Sequence, residues 1–148
     1  MRTLINLSLI AAVLTAPLAW ADTNSPVGLW KAIDDKSGKP SALIRISDNQ
    51  GELQGRIEKL FREPSEDQNP KCALCTDTRK DQPIVGMTIV SGLKKDGDEY
   101  SGGEILDPKN GKVYKSKAML REGGKKLEVR GYIGMPMLGR SQVWVRQE

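Results

Sequence analysis

The sequence predicts an all-β fold, an antiparallel up-and-down barrel of about eight strands. Short segments alternate apolar and polar residues with period two, and Gly, Asn, Asp and Pro turn signals separate them at regular spacing. No stretch of ten residues holds a convincing helical period, although a short turn fits within 66–80.

The 148-residue chain opens on an address label. Met1-Arg2 is a short basic start, residues 4–18 form an apolar run, and Ala19-Trp20-Ala21 is an A-x-A cleavage signal. The run falls short of the roughly 20 residues a bilayer span needs, so a cleaved signal is expected and a transmembrane anchor is not. Asp22, not a cysteine, follows the cleavage point, which argues against a lipid-modified N-terminus. Residues 22–148 are then one domain, placed in the periplasm or outside the cell.

Strands follow in order. Residues 27–33 are apolar on both faces. Ala42, Ile44 and Ile46 alternate with Leu43, Arg45 and Ser47, and the turn 48–51 leads to Leu53, Gly55 and Ile57 alternating with polar neighbours. Residues 61–83 break the pattern with three prolines and both cysteines; loops of this length often carry function. Strands resume at 86–90, with an Asp-Gly turn at 94–98, and continue at 100–106. Asp107-Pro108-Lys109-Asn110-Gly111 is a second strong turn. Then come 113–120, the turn 121–124, 127–133, a Met-rich hairpin at 134–139, and 141–146.

Charge and composition exclude several functions. The formal net charge is +4, with both signs interspersed, and aromatics are 5% of the chain, so a basic face with stacking aromatics for nucleic acid is missing. Histidine is absent. That removes Ser-His-Asp and Cys-His mechanisms and the common zinc sites, and no metal or cofactor is expected. Ser91-Gly92-Leu93-Lys94 matches S-x-x-K but ends a strand, where that chemistry needs a helix start. Glu104 is a buried acid only if it shares an inward face with Tyr100; an outward, solvated Glu104 is the simpler expectation. No catalytic constellation stands out, and the chain is not expected to be an enzyme.

Cys72-Ala73-Leu74-Cys75 is the only cysteine pair. In an exported chain it most simply forms a disulfide. So short a ring stabilises by about 2 kcal/mol, enough to staple the loop locally but not to hold the barrel. A redox pair, or a metal site completed by Asp77 or Asp81, is the alternative.

Trp30 lies early in the first strand and Trp144 late in the last. Antiparallel closure brings them to one end, where Arg140 and Arg146 flank Trp144 and a guanidinium over an indole is favourable. Trp30, Trp144 and Arg146 are therefore read as structural closure. Tyr114, Ser116, Ala118 and Leu120 share an uncharged face that points inward. Small inward residues (Ala42, Gly55, Ser116, Ala118) would leave room for a small ligand. Met135 and Met137 sit on an apolar tip at the other end, read either as a lip of a mouth or as a cap folded onto the core. The candidate ligand-binding residues are Tyr100, Tyr114, Ser116, Tyr132, Met135 and Met137, for a small apolar or amphipathic molecule. The alternative is a solid barrel that acts as a periplasmic protein-interaction or envelope-stress module.

Gly28-Leu29-Trp30 resembles the G-x-W of lipocalin-like (calycin) barrels. The segments GLWKAIDDKSGKP (28–40), GRIEKL (55–60), GMTIVSGLKKDGDEYSGGEILDPKNGKVYKSK (86–117) and KKLEVRGYIGMPMLGRSQVWVR (125–146), with the C-x-x-C loop before Pro83, resemble the small exported bacterial proteins grouped as domain of unknown function 2147. The resemblance implies a lipocalin-like barrel. It implies no activity, and it supplies no catalytic residues to carry over.

Overall fold

Period-two patterning with one wet face closes a sheet on itself when enough strands are present, because closure removes both edges. The computed structural model describes residues 12–16 and 23–148. The basic start and the Ala19-Trp20-Ala21 signal lie outside the described residues.

Eight antiparallel strands form a closed barrel in sequence order: β1 Gly28–Ile33, β2 Pro40–Asn49, β3 Glu52–Leu60, β4 Thr88–Asp96, β5 Glu99–Asp107, β6 Lys112–Arg121, β7 Lys126–Tyr132 and β8 Arg140–Arg146. β1 pairs with both β2 and β8, and this closes the ring. β4 runs on through Lys94-Lys95-Asp96, which the sequence reading assigned to a turn; the reversal is confined to Gly97-Asp98.

One end holds the start of β1 and the end of β8, with the β2–β3, β4–β5 and β6–β7 turns. The other holds the β1–β2 turn, the 61–87 loop, the β5–β6 turn and the β7–β8 hairpin. The interior toward the first end is filled by Trp30, Trp144, Ile44, Ile46, Leu53, Leu93, Leu127 and Val129, all buried in one cluster. Room expected beside small inward residues is taken up. A side chain at Gly55 would bring its Cβ within 3.1 Å of Val90 and 3.4 Å of Ile44, and one at Gly103 would meet Leu93 at 2.8 Å.

Of the five register shifts in the ring, two occur at positive-φ glycines of β4 and β5 and set which of their side chains face in. β4 slips by one residue against β3 between Val90 and Leu93, and β5 slips against β6 between Tyr100 and Gly103. Gly92 and Gly102, both at φ 73°, supply the backbone that these bulges need. The β5 bulge turns Gly103 and Ile105 inward on the same side as Tyr100 and leaves Glu104 exposed, in register with the outward Lys115.

The cysteine loop is more than a local staple. Cys72 and Cys75 are joined by a disulfide and are 0% and 2% exposed within the core cluster. With both sulfurs so joined, no thiolate is available for metal, and Asp77 instead pairs with Arg79 at 2.5 Å. The loop folds on itself through a bridge between Lys71 and Pro83 and a Cys72 N–H donated to Gln82 O at 2.9 Å. It docks on the β5–β6 turn, where Cys72 Sγ lies 3.8 Å from Pro108 O and Gly111 leaves space for the Leu74 carbonyl. Leu106, on the outer face beside inward Ile105, is 2% exposed. The loop's Cys72, Cys75, Ile84 and Met87 thus extend the core outside the barrel wall.

Candidate binding site at the half-open end of the barrel

The closed end is built around one cation. Arg146 stacks over the Trp30 ring at 4.4 Å and donates to Gly124 O (2.7 Å), Val27 O (3.2 Å) and Ser25 O (2.6 Å). Trp30 Nε1 donates to Pro26 O at 2.8 Å. Residues 25–27 are therefore tied across this end. Gly28 explains the G-x-W spacing: at φ 143°, a Cβ there would crowd the Glu148 carbonyl and sit 3.1 Å from Arg146 Nη1. Trp144, 1% exposed and in register with Ala32 two pairs away, donates Nε1–H to Gln142 at 3.2 Å. Of the two arginines that flank Trp144 in the last strand, Arg146 is the one that stacks, and it does so on Trp30. Arg140 instead reaches Asp35 at the opposite end, at 2.6 Å.

At that opposite end four inward residues of β5–β8 are only half-buried, Ile105, Tyr114, Gly131 and Gln142, whereas Ala32, Ala42 and Ile57 of β1–β3 are buried. They converge. A Cβ at Gly131 would lie 3.3 Å from Ile105 and 3.5 Å from Tyr114. One residue pair deeper sits Ser116, in register with Gly103 on one side and Gly131 on the other. Ser116 is 0% exposed, and its hydroxyl has no hydrogen-bond partner among the described residues. Burying a hydroxyl without a partner costs about 1–3 kcal/mol, so such an atom calls for an explanation.

The rim is polar and tied. Tyr114 Oη accepts from Asn110 Nδ2 at 3.0 Å. Lys109 of the β5–β6 turn reaches Asp34 of the β1–β2 turn at 3.4 Å, joining turns from opposite sides of the ring. Asp34 accepts the N–H groups of Ser37 (2.7 Å) and Lys36 (3.0 Å). Ser37 foremost, with Lys36 and Lys109, holds its carboxyl at about 2. The Arg140 hydrogen bond lowers Asp35 in the same way.

Of the six residues read as ligand contacts, the structure brings together two, Tyr114 and Ser116. Tyr100 packs on the core opposite Ala118, about 13 Å along the strand from Tyr114, and so belongs to the closed end. Tyr132 points outward, because Leu127 and Val129 face in and the period is two; it pairs with outward Lys115 and lies against Gly139. Met135 and Met137 are exposed, so the hairpin is not folded onto the core. The hairpin leans over the outer wall, where Arg130 donates to Pro136 O (2.5 Å), Gly139 O (3.1 Å) and Ser141 Oγ (2.9 Å). Met137 there lines an outer groove of about 500 Å³ beside the Lys117–Glu99 and Arg121–Glu128 ion pairs. Sequence reading missed Ile105, Gly131 and Gln142. Ile105 faces inward as the expectation of an outward Glu104 requires but was not carried into the ligand contacts, and Gly131 and Gln142 were readable from the parity of Val129 and Trp144.

The chain belongs to the bacterial family described as "Uncharacterized protein conserved in bacteria (DUF2147)", whose model matches residues 28–146. Its fold is lipocalin-like. It is similar to protein HP1028 from the human pathogen Helicobacter pylori, described as belonging to the lipocalin family, with a TM-score of 0.69 and 17% sequence identity over 84% of each chain. No curated protein matches the sequence. Among the described residues, no helix is long and apolar enough to cross a membrane.

Proposed function

We propose that this protein is an exported, non-enzymatic carrier that binds a small, partly apolar molecule in the half-open end of its barrel. The ligand's apolar part would lie against Ile105, Tyr114 and Gly131. A polar group on it would meet Ser116, with Gln142 on the same inner wall. The observation that carries this reading is the orphaned Ser116 hydroxyl, which lies below the half-buried Ile105, Tyr114, Gly131 and Gln142 on the inner wall. Export is supported by the leader read in residues 1–21 and by the disulfide.

The test is native mass spectrometry of the protein isolated from the cell envelope, with solvent extraction, followed by titration of the extracted compound against Trp fluorescence. A discrete added mass and saturable rebinding are expected. Ser116→Ala should weaken rebinding about tenfold while leaving the fold as stable or more stable, since it removes a buried group that nothing satisfies. An envelope-derived protein with no bound mass and no saturable uptake of apolar probes would remove the reading.

A further inference from the structure

Among described residues 23–148, the β7–β8 hairpin gathers four exposed large apolar side chains in six residues. Ile133, Met135, Met137 and Leu138 are 67%, 56%, 73% and 74% exposed on one protruding segment. Such a cluster marks a contact surface.

Part of its backbone is already hydrogen-bonded from within. The Leu138 and Gly139 N–H groups donate to Met135 O and Pro136 O, at 3.0 and 3.2 Å. Arg130 covers Pro136 O and Gly139 O from the barrel wall. A segment that enters hydrocarbon pays heavily for each unpaired backbone group, and at this tip three of the acceptors are already engaged.

Charge identifies the partner. The two turns on either side of the hairpin, with the strand starts they lead into, carry Lys36, Lys39, Lys109, Lys112 and Arg140 against Asp34, Asp35 and Asp107; the 61–87 loop, across the ring, carries Arg62, Lys71, Arg79 and Lys80 against Glu63, Glu66, Asp67, Asp77 and Asp81. Asp34 and Asp35 are already paired with Lys109 and Arg140. Among the described residues, Lys36, Lys39 and Lys112 make no ion pair, and all three are exposed. An exposed apolar tip flanked by unneutralised lysines is the arrangement that seats on an anionic lipid surface.

We propose that this end of the barrel docks on an anionic phospholipid bilayer, with Met135, Met137 and Leu138 inserted among the headgroups and Lys36, Lys39 and Lys112 against lipid phosphates. The docking does not depend on any cargo in the barrel. It would bring the half-open mouth to the bilayer surface.

The experiment is vesicle flotation of the full chain and its variants. The vesicles are phosphatidylcholine alone and phosphatidylcholine mixed with phosphatidylglycerol; wild type and variants are all purified from the cell envelope in the same processed form, so differences report the tip. The wild-type protein is expected to float with the anionic vesicles and much less with neutral ones. Met137→Asp with Leu138→Asp should cut the bound fraction about tenfold, and Lys36→Glu with Lys39→Glu should abolish the preference for anionic lipid. These positions are exposed, so unchanged thermal unfolding will establish that the variants fold. Equal flotation of wild type and tip variants would overturn the proposal. So would no flotation at all, or light scattering showing that the tip instead joins two copies of the chain.

Discussion

At the scale of single residues, Arg146 does the work that the sequence divided among several. Its guanidinium covers Trp30 and closes three backbone carbonyls on two separate segments. A cation–π contact contributes about 0.5–2 kcal/mol and charge-assisted hydrogen bonds about 1.5–3 kcal/mol each, and the effects are not additive. Arg146→Ala should therefore destabilise by about 3 kcal/mol in urea unfolding. Arg146→Lys should recover only a small part, because an ammonium cannot fork to three acceptors while lying flat on an indole. Full recovery by lysine would show that charge alone matters and that the planar fork does not. Gly28→Ala should resemble Arg146→Ala, since the added Cβ lies where Arg146 Nη1 and the last carbonyl of the chain now sit.

At the scale of elements, the strands were legible because their alternation is strong, and the bulges were not because they carry no alternation of their own. Ser116 and Tyr114 lie on β6, an uninterrupted strand, and their inward face could be read directly. Tyr100 and Ile105 lie on either side of a one-residue slip that inverts the parity, so a reading in strict period two had to misplace one of them. The hairpin was legible as an apolar tip but not in its direction, which is set by Arg130, a residue of the preceding strand whose reach no local pattern encodes. The cysteine loop was legible as a disulfide but not as part of the core, because its burial depends on Leu106 facing outward and on Gly111 admitting the Leu74 backbone. Replacing both cysteines with alanine should thus do more than open a short ring. Trypsin should cut at Lys71, Arg79 and Lys80 at least about tenfold faster, by local opening, while the barrel strands keep their amide protection. Gly111→Val should expose the same sites with the disulfide intact, by forcing the loop off the turn; if the loop then stays resistant, docking on the β5–β6 turn is not what holds it.

At the scale of the whole molecule, the carboxylates held below their ordinary pKa lie at the half-open end and in the cysteine loop, so the two barrel ends respond differently to acid. Trp30, Trp144 and the carbonyls around Arg146 do not titrate. Across the half-open end, Asp34 joins turns from opposite sides of the ring, and its carboxyl is held at about 2 against an ordinary 3.8, chiefly by Ser37; Asp77 in the cysteine loop is held at about 2 by Arg79. A depressed folded-state pKa means that the unfolded chain takes up protons first. The contribution of each group is complete above about pH 4 and is lost as pH falls toward 2. The chain has no histidine, so the usual titration near neutrality is missing and its stability should be nearly flat from about pH 5 to 8. Asp34→Asn should lower stability at neutral pH, modestly because the carboxylate is exposed, and the difference from wild type should shrink to a small remainder by about pH 2. Urea unfolding of both chains at a series of pH values measures this. A gap that persisted undiminished at pH 2 would mean that the asparagine disturbs the turn itself, and that the Asp34 charge adds nothing to closure of this end.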